Sequence, residues 1–150
     1  MTPDELRPIL HGYRQQVQKA WTTATASPYY NGADGSPVGQ CGVTAAWLQE
    51  RLREDHGVET LFCVGRVICT AHGLTLRNHC WLEIGDMTWD RTVIDLTADQ
   101  VPCWDGTFLY ASYWVLCEEF ARYSSDVRLP EPEWGEDLRP RLAILTKALS

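Results

Sequence analysis

The sequence predicts an α+β fold in which N-terminal helices pack on an antiparallel β-sheet. Three observations predict it: apolar residues first recur at helical spacing, β-branched and aromatic residues then form alternating runs, and a helical pattern closes the chain. Helices followed by strands and a further helix are the order expected for such a domain. With 150 residues, the chain has the length of one domain, residues 1–150.

Two helices are predicted before the sheet. The first spans residues 3–21, where apolar side chains return every three or four positions, and Thr2 suits its N-cap. Residues 27–39 hold several glycines and prolines and read as a loop. The second helix spans residues 41–55, and Gly57 ends it.

The middle of the chain has the pattern of β-strands. Residues 59–69 and 74–85 are rich in β-branched and aromatic side chains, and a turn at His72 and Gly73 separates them. Residues 87–97 add one or two further strands in the same pattern.

The remaining third of the chain is less regular. Residues 107–123 fit either a helix or a long aromatic strand, and we favour the helix. Residues 140–149 form a short amphipathic helix that closes the chain.

Composition excludes several classes of function. Thirteen basic and twenty acidic residues give a net charge of −7 without a basic patch, which argues against a nucleic-acid partner. No run of about 18 apolar residues is present, so no membrane partner is expected. The N-terminus lacks the apolar core of a secretory leader. We therefore expect a cytoplasmic protein whose six cysteines are reduced thiols.

Cys41 is the first candidate for chemistry, because it lies where a Gly-rich turn meets a predicted helix. A nucleophilic cysteine must be a thiolate, and a free thiol titrates near about 8.5. The dipole at a helix N-terminus favours negative charge by roughly 0.3–1 kcal/mol, which is less than one pKa unit. A histidine is therefore needed beside Cys41.

His79 and Asp95 complete a possible catalytic set. His79 lies in the middle of a predicted strand, on one face with Trp81 and Glu83, whereas Cys80 belongs to the opposite face. Asp95 lies between apolar neighbours, where a carboxylate is costly unless it is paired. An imidazole base needs an acceptor on its second nitrogen, and Asp95 supplies one. The order cysteine, histidine, aspartate on helix, strand and strand is that of papain-like and transglutaminase-like enzymes.

Four sequence stretches make the resemblance more specific. They are "AWTTATASP", "GQCGVTAAWLQERL", "NHCWLEI" and "VIDLTADQ". Together they resemble the YunG-like family, a small group within the papain-like, transglutaminase-like cysteine enzymes. The matching residues are Trp21, Thr22, Thr25, Gly39 to Ala45, His79, Trp81, Ile94 to Thr97 and Gln100. The resemblance spans nearly the whole chain, and residues 103–136, which match less well, are a possible insertion that shapes the pocket.

The resemblance implies a role for each member of the set. Cys41 would be the nucleophile, His79 the base and acid, and Asp95 the residue that orients His79. Gln40 is a candidate oxyanion donor or a residue that holds the loop or lies over the substrate. Trp81 either shields the His79–Asp95 pair from water or belongs to the core.

The predicted activity is acyl transfer through a thioester, with no cofactor. The acyl or aminoacyl group of a small amide, ester or thioester substrate passes to water, as in a hydrolase, or to an amine. Related folds move aminoacyl groups in bacterial secondary metabolism, so an aminoacyltransferase, its substrate delivered free or on a carrier protein, is the alternative.

Two other classes of function stay open. The first is a non-catalytic binding domain with the same fold. The second is a zinc-binding module, although no Cys-x2–4-Cys pair exists in the chain. Its candidate ligands are Cys63, Cys69, His72, His79, Cys80 and Cys103.

Overall fold

A computed structural model gives the arrangement of most of the chain. It describes residues 1–69, 72–85, 92–101, 104, 106, 108–110, 122–132, 134–135 and 137–150. The elements in these ranges confirm an α+β fold.

The predicted first helix is confirmed as α1, Pro3–Ala20. Thr2 accepts a hydrogen bond from the backbone N–H of Glu5, and the Glu5 carboxylate accepts one from the backbone N–H of Thr2. This reciprocal pair satisfies amides that an uncapped helix start would leave without partners. The apolar stripe of α1 is buried as its spacing predicts, at Leu6, Leu10, Tyr13 and Val17.

Two further helices pack against each other. α2 spans Cys41–His56 and ends at Gly57, which has a φ of 65°. This left-handed conformation suits glycine, so the predicted stop is confirmed. α3 spans Leu138–Ala148, two residues earlier at its start than predicted, and it packs on α2.

The strands form one antiparallel sheet. Its strands are β1 Leu61–Cys69, β2 Leu74–Ile84, β3 Thr92–Ile94, β4 Leu109–Tyr110 and β5 Arg122–Leu129. Their order across the sheet is β4-β3-β2-β1-β5, so the hairpin of β1 and β2 lies near its centre. The strands predicted at residues 59–69 and 74–85 are confirmed. Of the prediction for residues 87–97, β3 is confirmed, and residues 86–91 lie outside the described residues.

The helix favoured for residues 107–123 is wrong at both ends. Residues 109–110 belong to β4, and residues 122–123 begin β5. The middle of this prediction, residues 111–121, lies outside the described residues. Tyr123 is 1% exposed, so its aromatic character reflects a strand packed on the core and not a helical face. β5 also shows that part of the possible insertion, residues 103–136, is an integral strand of the sheet.

Close approach of β5 to β1 depends on Gly65. Gly65 pairs with His79 of β2 on one side and with Ser125 of β5 on the other. A Cβ atom at Gly65 would lie 2.1 Å from the carbonyl oxygen of Ser124. The missing side chain therefore lets β5 reach the sheet beside the strands that carry the candidate site.

Cys69, at the end of β1, is disulfide-bonded, and its partner lies outside the described residues. Cys41, Cys63 and Cys80 are free thiols. The expectation that all six cysteines are reduced is therefore wrong for Cys69. The even number of cysteines in the chain is compatible with disulfide bonds. A disulfide requires that the Cβ atoms of its two cysteines lie close together. The cytoplasmic location stays a prediction.

Among the described residues, no helix is both long enough and apolar enough to cross a bilayer.

Candidate active site

Cys41 is the first residue of α2 and is partly exposed. The turn before it requires Gly39, whose φ is 77° and whose Cβ would lie 3.2 Å from the Cβ of Tyr30. No side chain caps this helix start. The backbone N–H groups of the first turn therefore keep their hydrogen-bonding capacity, and their dipole favours a negative charge at the Cys41 sulfur.

The structure brings His79 and Asp95 together. Nε2 of His79, on β2, lies 2.6 Å from Oδ2 of Asp95, which follows β3. Both side chains are 1% exposed. A charge-assisted hydrogen bond of this length in a buried place holds the imidazole in one orientation. It also leaves Nδ1 as the ring nitrogen that is available to Cys41.

Asp95 is itself held by three donors besides His79. Its Oδ1 accepts from the backbone N–H of Thr97 at 3.0 Å and from the Thr97 hydroxyl at 3.1 Å. Its Oδ2 accepts from the hydroxyl of Tyr123 at 2.8 Å. These bonds fix the position of the carboxylate next to the imidazole.

Burial and the charge on Asp95 shift the pKa of His79 in opposite directions. Burial alone would lower the pKa of His79, but attraction to Asp95 and the hydrogen bond between them outweigh it and raise the pKa to about 10. A hydrogen bond with Cys41 and its charge act in the same direction. A pKa this high favours the protonated imidazole at neutral pH.

The surroundings of Cys41 lower the pKa of its thiol. A hydrogen bond from the Cys80 thiol is the largest cause of a pKa well below the usual value for cysteine, and it acts against burial. A hydrogen bond and the positive charge from His79 lower it further. Because the Cys80 thiol acts as donor to a negative neighbour, the pKa of Cys80 is raised. The two pKa shifts together favour a thiolate at Cys41 beside an imidazolium at His79.

An irregularity in β2 places consecutive side chains at the Cys41 sulfur. Strand alternation predicted that Cys80 lies on the face opposite His79, yet both contact Cys41. Asn78 has a φ of 54°, and the register between β1 and β2 shifts at this point. Such a bulge bends a strand and increases its twist. The carbonyl oxygen of Asn78 also lies 3.9 Å from the Cys41 sulfur, within hydrogen-bonding range for a thiol.

Gln40 is turned away from the thiol. Its side-chain N–H donates to the carbonyl oxygen of Thr22 at 3.0 Å, and its Oε1 accepts from the Thr25 hydroxyl at 2.9 Å. The residue is 0% exposed. Of the roles considered for Gln40, this geometry supports holding the loop, since the amide is already bound inside the protein.

Trp81 lies in the core next to the imidazole. Its ring stacks beside His79 with a centroid distance of 6.2 Å, and the residue is 1% exposed. Its indole N–H donates to Oε1 of Glu83 at 2.9 Å, and Arg128 pairs with the other Glu83 oxygen at 3.1 Å. This position offers almost no surface to a substrate, and it keeps water from one side of the His79–Asp95 pair.

A cleft of about 290 Å³ opens above the Cys41 sulfur. The residues that line it include Tyr29, Tyr30, Cys41, Asn78, Cys80 and Arg141. Trp104, within the possible insertion at residues 103–136, stacks on Phe108 at 5.6 Å. The cleft therefore draws its aromatic side chains from the loop before α2.

The candidate zinc ligands do not converge. Within the part of the chain that the structure describes, no group of three His, Cys, Asp or Glu side chains is arranged to hold a metal ion. His72 is exposed in the turn between β1 and β2, and Cys63 is buried. Cys103 lies outside the described residues.

Several residues of the site were not predicted from the sequence. The role of Thr97 could have been predicted, because an Asp side chain commonly accepts a hydrogen bond from the backbone N–H two residues later. The roles of Cys80, Asn78 and Tyr123 could not, since they depend on a bulge and on contacts between distant strands.

Comparison with known proteins adds no further assignment. No family model matches the chain, and no match was found among curated proteins or solved structures.

Proposed function

We propose that this protein is a cysteine-dependent acyl-transfer enzyme. One observation carries the proposal: His79 lies next to Cys41 and lowers the pKa of its thiol, and Nε2 of His79 lies 2.6 Å from the buried carboxylate of Asp95. This is the arrangement that activates a thiol as a nucleophile. Cys63 provides the contrast, because burial raises the pKa of its thiol.

The proposed reaction has two steps. The Cys41 thiolate attacks the carbonyl carbon of an amide, ester or thioester, and the imidazolium of His79 gives its proton to the leaving group as the thioester forms. Neutral His79 then takes a proton from water or an amine as that molecule attacks the thioester. The acyl group leaves on the acceptor, and the proton returns the site to its starting charge.

The helix start supplies stabilisation for the oxyanion. Negative charge develops on the carbonyl oxygen during both steps and needs preorganised donors. The backbone N–H of Cys41 belongs to the uncapped first turn of α2, next to the sulfur. Gln40 is bound to Thr22 and Thr25, so we assign it to the loop and leave the oxyanion to this backbone donor.

The finer fold assignment belongs to the same proposal. A helix with an N-terminal cysteine packed on an antiparallel sheet that carries a histidine and an aspartate supports a papain-like, transglutaminase-like domain. The resemblance to the YunG-like family agrees with this arrangement.

Intact-mass analysis after incubation with small acyl thioesters tests the proposal. We expect an acyl adduct in the wild-type protein that Cys41→Ala abolishes and that Cys63→Ala retains. Cys63 is the matched control because it is a free thiol with a raised pKa. An adduct that persists in Cys41→Ala would refute the assignment of the nucleophile.

A further inference from the structure

Arg141, on α3, places a guanidinium at the wall of the Cys41 cleft. Its Nη1 donates to the carbonyl oxygen of Thr25 at 3.1 Å. Its Nη2 lies 4.0 Å from the position that a Cβ atom would occupy at Gly42, the residue after the nucleophile. The positive charge is thus held next to the start of α2.

The guanidinium has unused hydrogen-bonding capacity. The Arg141 side chain is only 12% exposed, and its buried Nε has no hydrogen-bond partner among the residues that the structure describes. Asp137 lies 3.5 Å from Nε and supplies some opposite charge, but it is the more exposed partner. Of the five N–H groups of an arginine, the Thr25 carbonyl uses one. A cation with so few partners so far from water favours an anionic ligand.

A carboxylate matches this group best. A guanidinium presents parallel N–H groups that fit the two oxygens of a carboxylate. The chain carries a net charge of −7, so anions are repelled by the protein as a whole. A fixed cation within the cleft therefore selects for anions at this one place.

The shape of the cleft limits the size of the ligand. About 290 Å³ holds a small molecule and not a folded protein segment. Tyr29 and Tyr30 line the same cleft and are 88% and 47% exposed. Exposed aromatic rings at a cleft provide apolar contact area for the part of a substrate between its two polar ends.

We infer that the substrate is a small acyl compound with a free carboxylate, which pairs with Arg141 while its carbonyl lies at Cys41. This inference rests on the proposed acyl-transfer function. Arg141 is thus the residue that makes the cleft prefer a negatively charged substrate.

Alkylation of Cys41 tests the charge preference without a known substrate. The thiolate displaces iodide from either iodoacetate or iodoacetamide, which differ mainly in the carboxylate. We expect Arg141→Gln to lower the ratio of the iodoacetate rate to the iodoacetamide rate about tenfold, the effect of losing one charge-assisted pair. Arg139→Gln is the control, because Arg139 lies on the same helix but stacks on Trp134 at 4.2 Å.

Wild-type protein provides a second measurement that does not depend on the folding of a variant. N-acetylglycine should slow the labelling of Cys41 by iodoacetamide, and N-acetylglycinamide, which lacks the carboxylate, should not. An unchanged rate ratio in folded Arg141→Gln, or equal protection by the two compounds, would overturn the inference. Slow labelling of wild-type Cys41 by both reagents would instead refute the acyl-transfer proposal.

Discussion

The hydroxyl of Tyr123 donates a hydrogen bond to Oδ2 of Asp95 at 2.8 Å, the same oxygen that contacts His79. Tyr123 lies on β5 and Asp95 follows β3, so the bond spans the strands between them. The Tyr123 ring also packs edge-on against Trp81 at 5.1 Å. One of the two edge strands of the described sheet, β5, thus helps to orient the proposed catalytic imidazole.

Tyr123→Phe should therefore affect both stability and the site. The substitution removes one buried hydrogen bond to a charged group and keeps the ring, so we expect the free energy of unfolding to fall by about 1.5–3 kcal/mol. The pKa of His79 should rise, because the Tyr123 hydroxyl no longer shares the negative charge of Asp95 Oδ2 with the imidazolium. Denaturant unfolding measures the first effect and the pH profile of Cys41 alkylation the second. An unchanged unfolding curve and pH profile would show that the bond contributes nothing.

Asp95→Asn should reduce the reactivity of Cys41 while the fold is kept. An amide is nearly the same size as a carboxylate but cannot stabilise the imidazolium, so the pKa of His79 should drop and that of Cys41 should rise. A rise of about two pKa units in Cys41 lowers the alkylation rate about 100-fold at pH values below the wild-type pKa. Circular dichroism checks the fold. A wild-type rate in this variant would assign the orienting role to another residue.

Cys80→Ala tests the largest single contribution to the acidity of Cys41. Loss of the thiol donor should raise the pKa of Cys41. A rise of about one unit slows alkylation about tenfold at pH values below the wild-type pKa. At pH values above the raised pKa of the variant, the two rates should converge, since both proteins then hold a thiolate. A rate difference that persists at high pH would indicate a steric effect instead.

Gly65→Ala should destabilise the sheet. The new Cβ would meet the Ser124 carbonyl, and overpacking of this kind costs about 1–3 kcal/mol. Gly12→Ala is the matched control, because Gly12 lies within α1 and a Cβ there meets nothing within 4 Å. That change should stabilise the helix by about 0.5–1 kcal/mol. Equal unfolding midpoints for the two variants would contradict the packing of β5 on β1.

The sequence was most informative where polar residues interrupt regular patterns. α1, α2, β1 and β2 follow the periodicity of their apolar residues to within two residues at each end. His79 and Asp95 were found because each is a costly residue in a strand-like stretch, and the structure shows that they partner each other. Local chemistry is sufficient for such predictions.

Contacts between distant parts of the chain were not predictable in this way. The arginine of the cleft, Arg141, binds Thr25 across 116 residues, and periodicity alone assigns it only to the amphipathic helix α3. The sequence analysis assumed that side chains alternate regularly along β2, but the bulge at Asn78 breaks this alternation. The position of Cys80 next to Cys41 was therefore not predicted. β5 was mistaken in part for helix because aromatic residues suit either element when their packing partners are unknown.

The pH dependence of Cys41 alkylation by iodoacetamide tests the central claim most directly. Cys41 is a thiolate above its lowered pKa, and His79 is an imidazolium below about 10, so the ion pair exists between these two values. We predict a rate that reaches half its plateau well below a pH of about 8.5. The midpoint should be higher in His79→Gln, because that variant loses the hydrogen bond and the positive charge that help to lower the pKa of Cys41. A wild-type midpoint at or above a pH of about 8.5 would contradict the account.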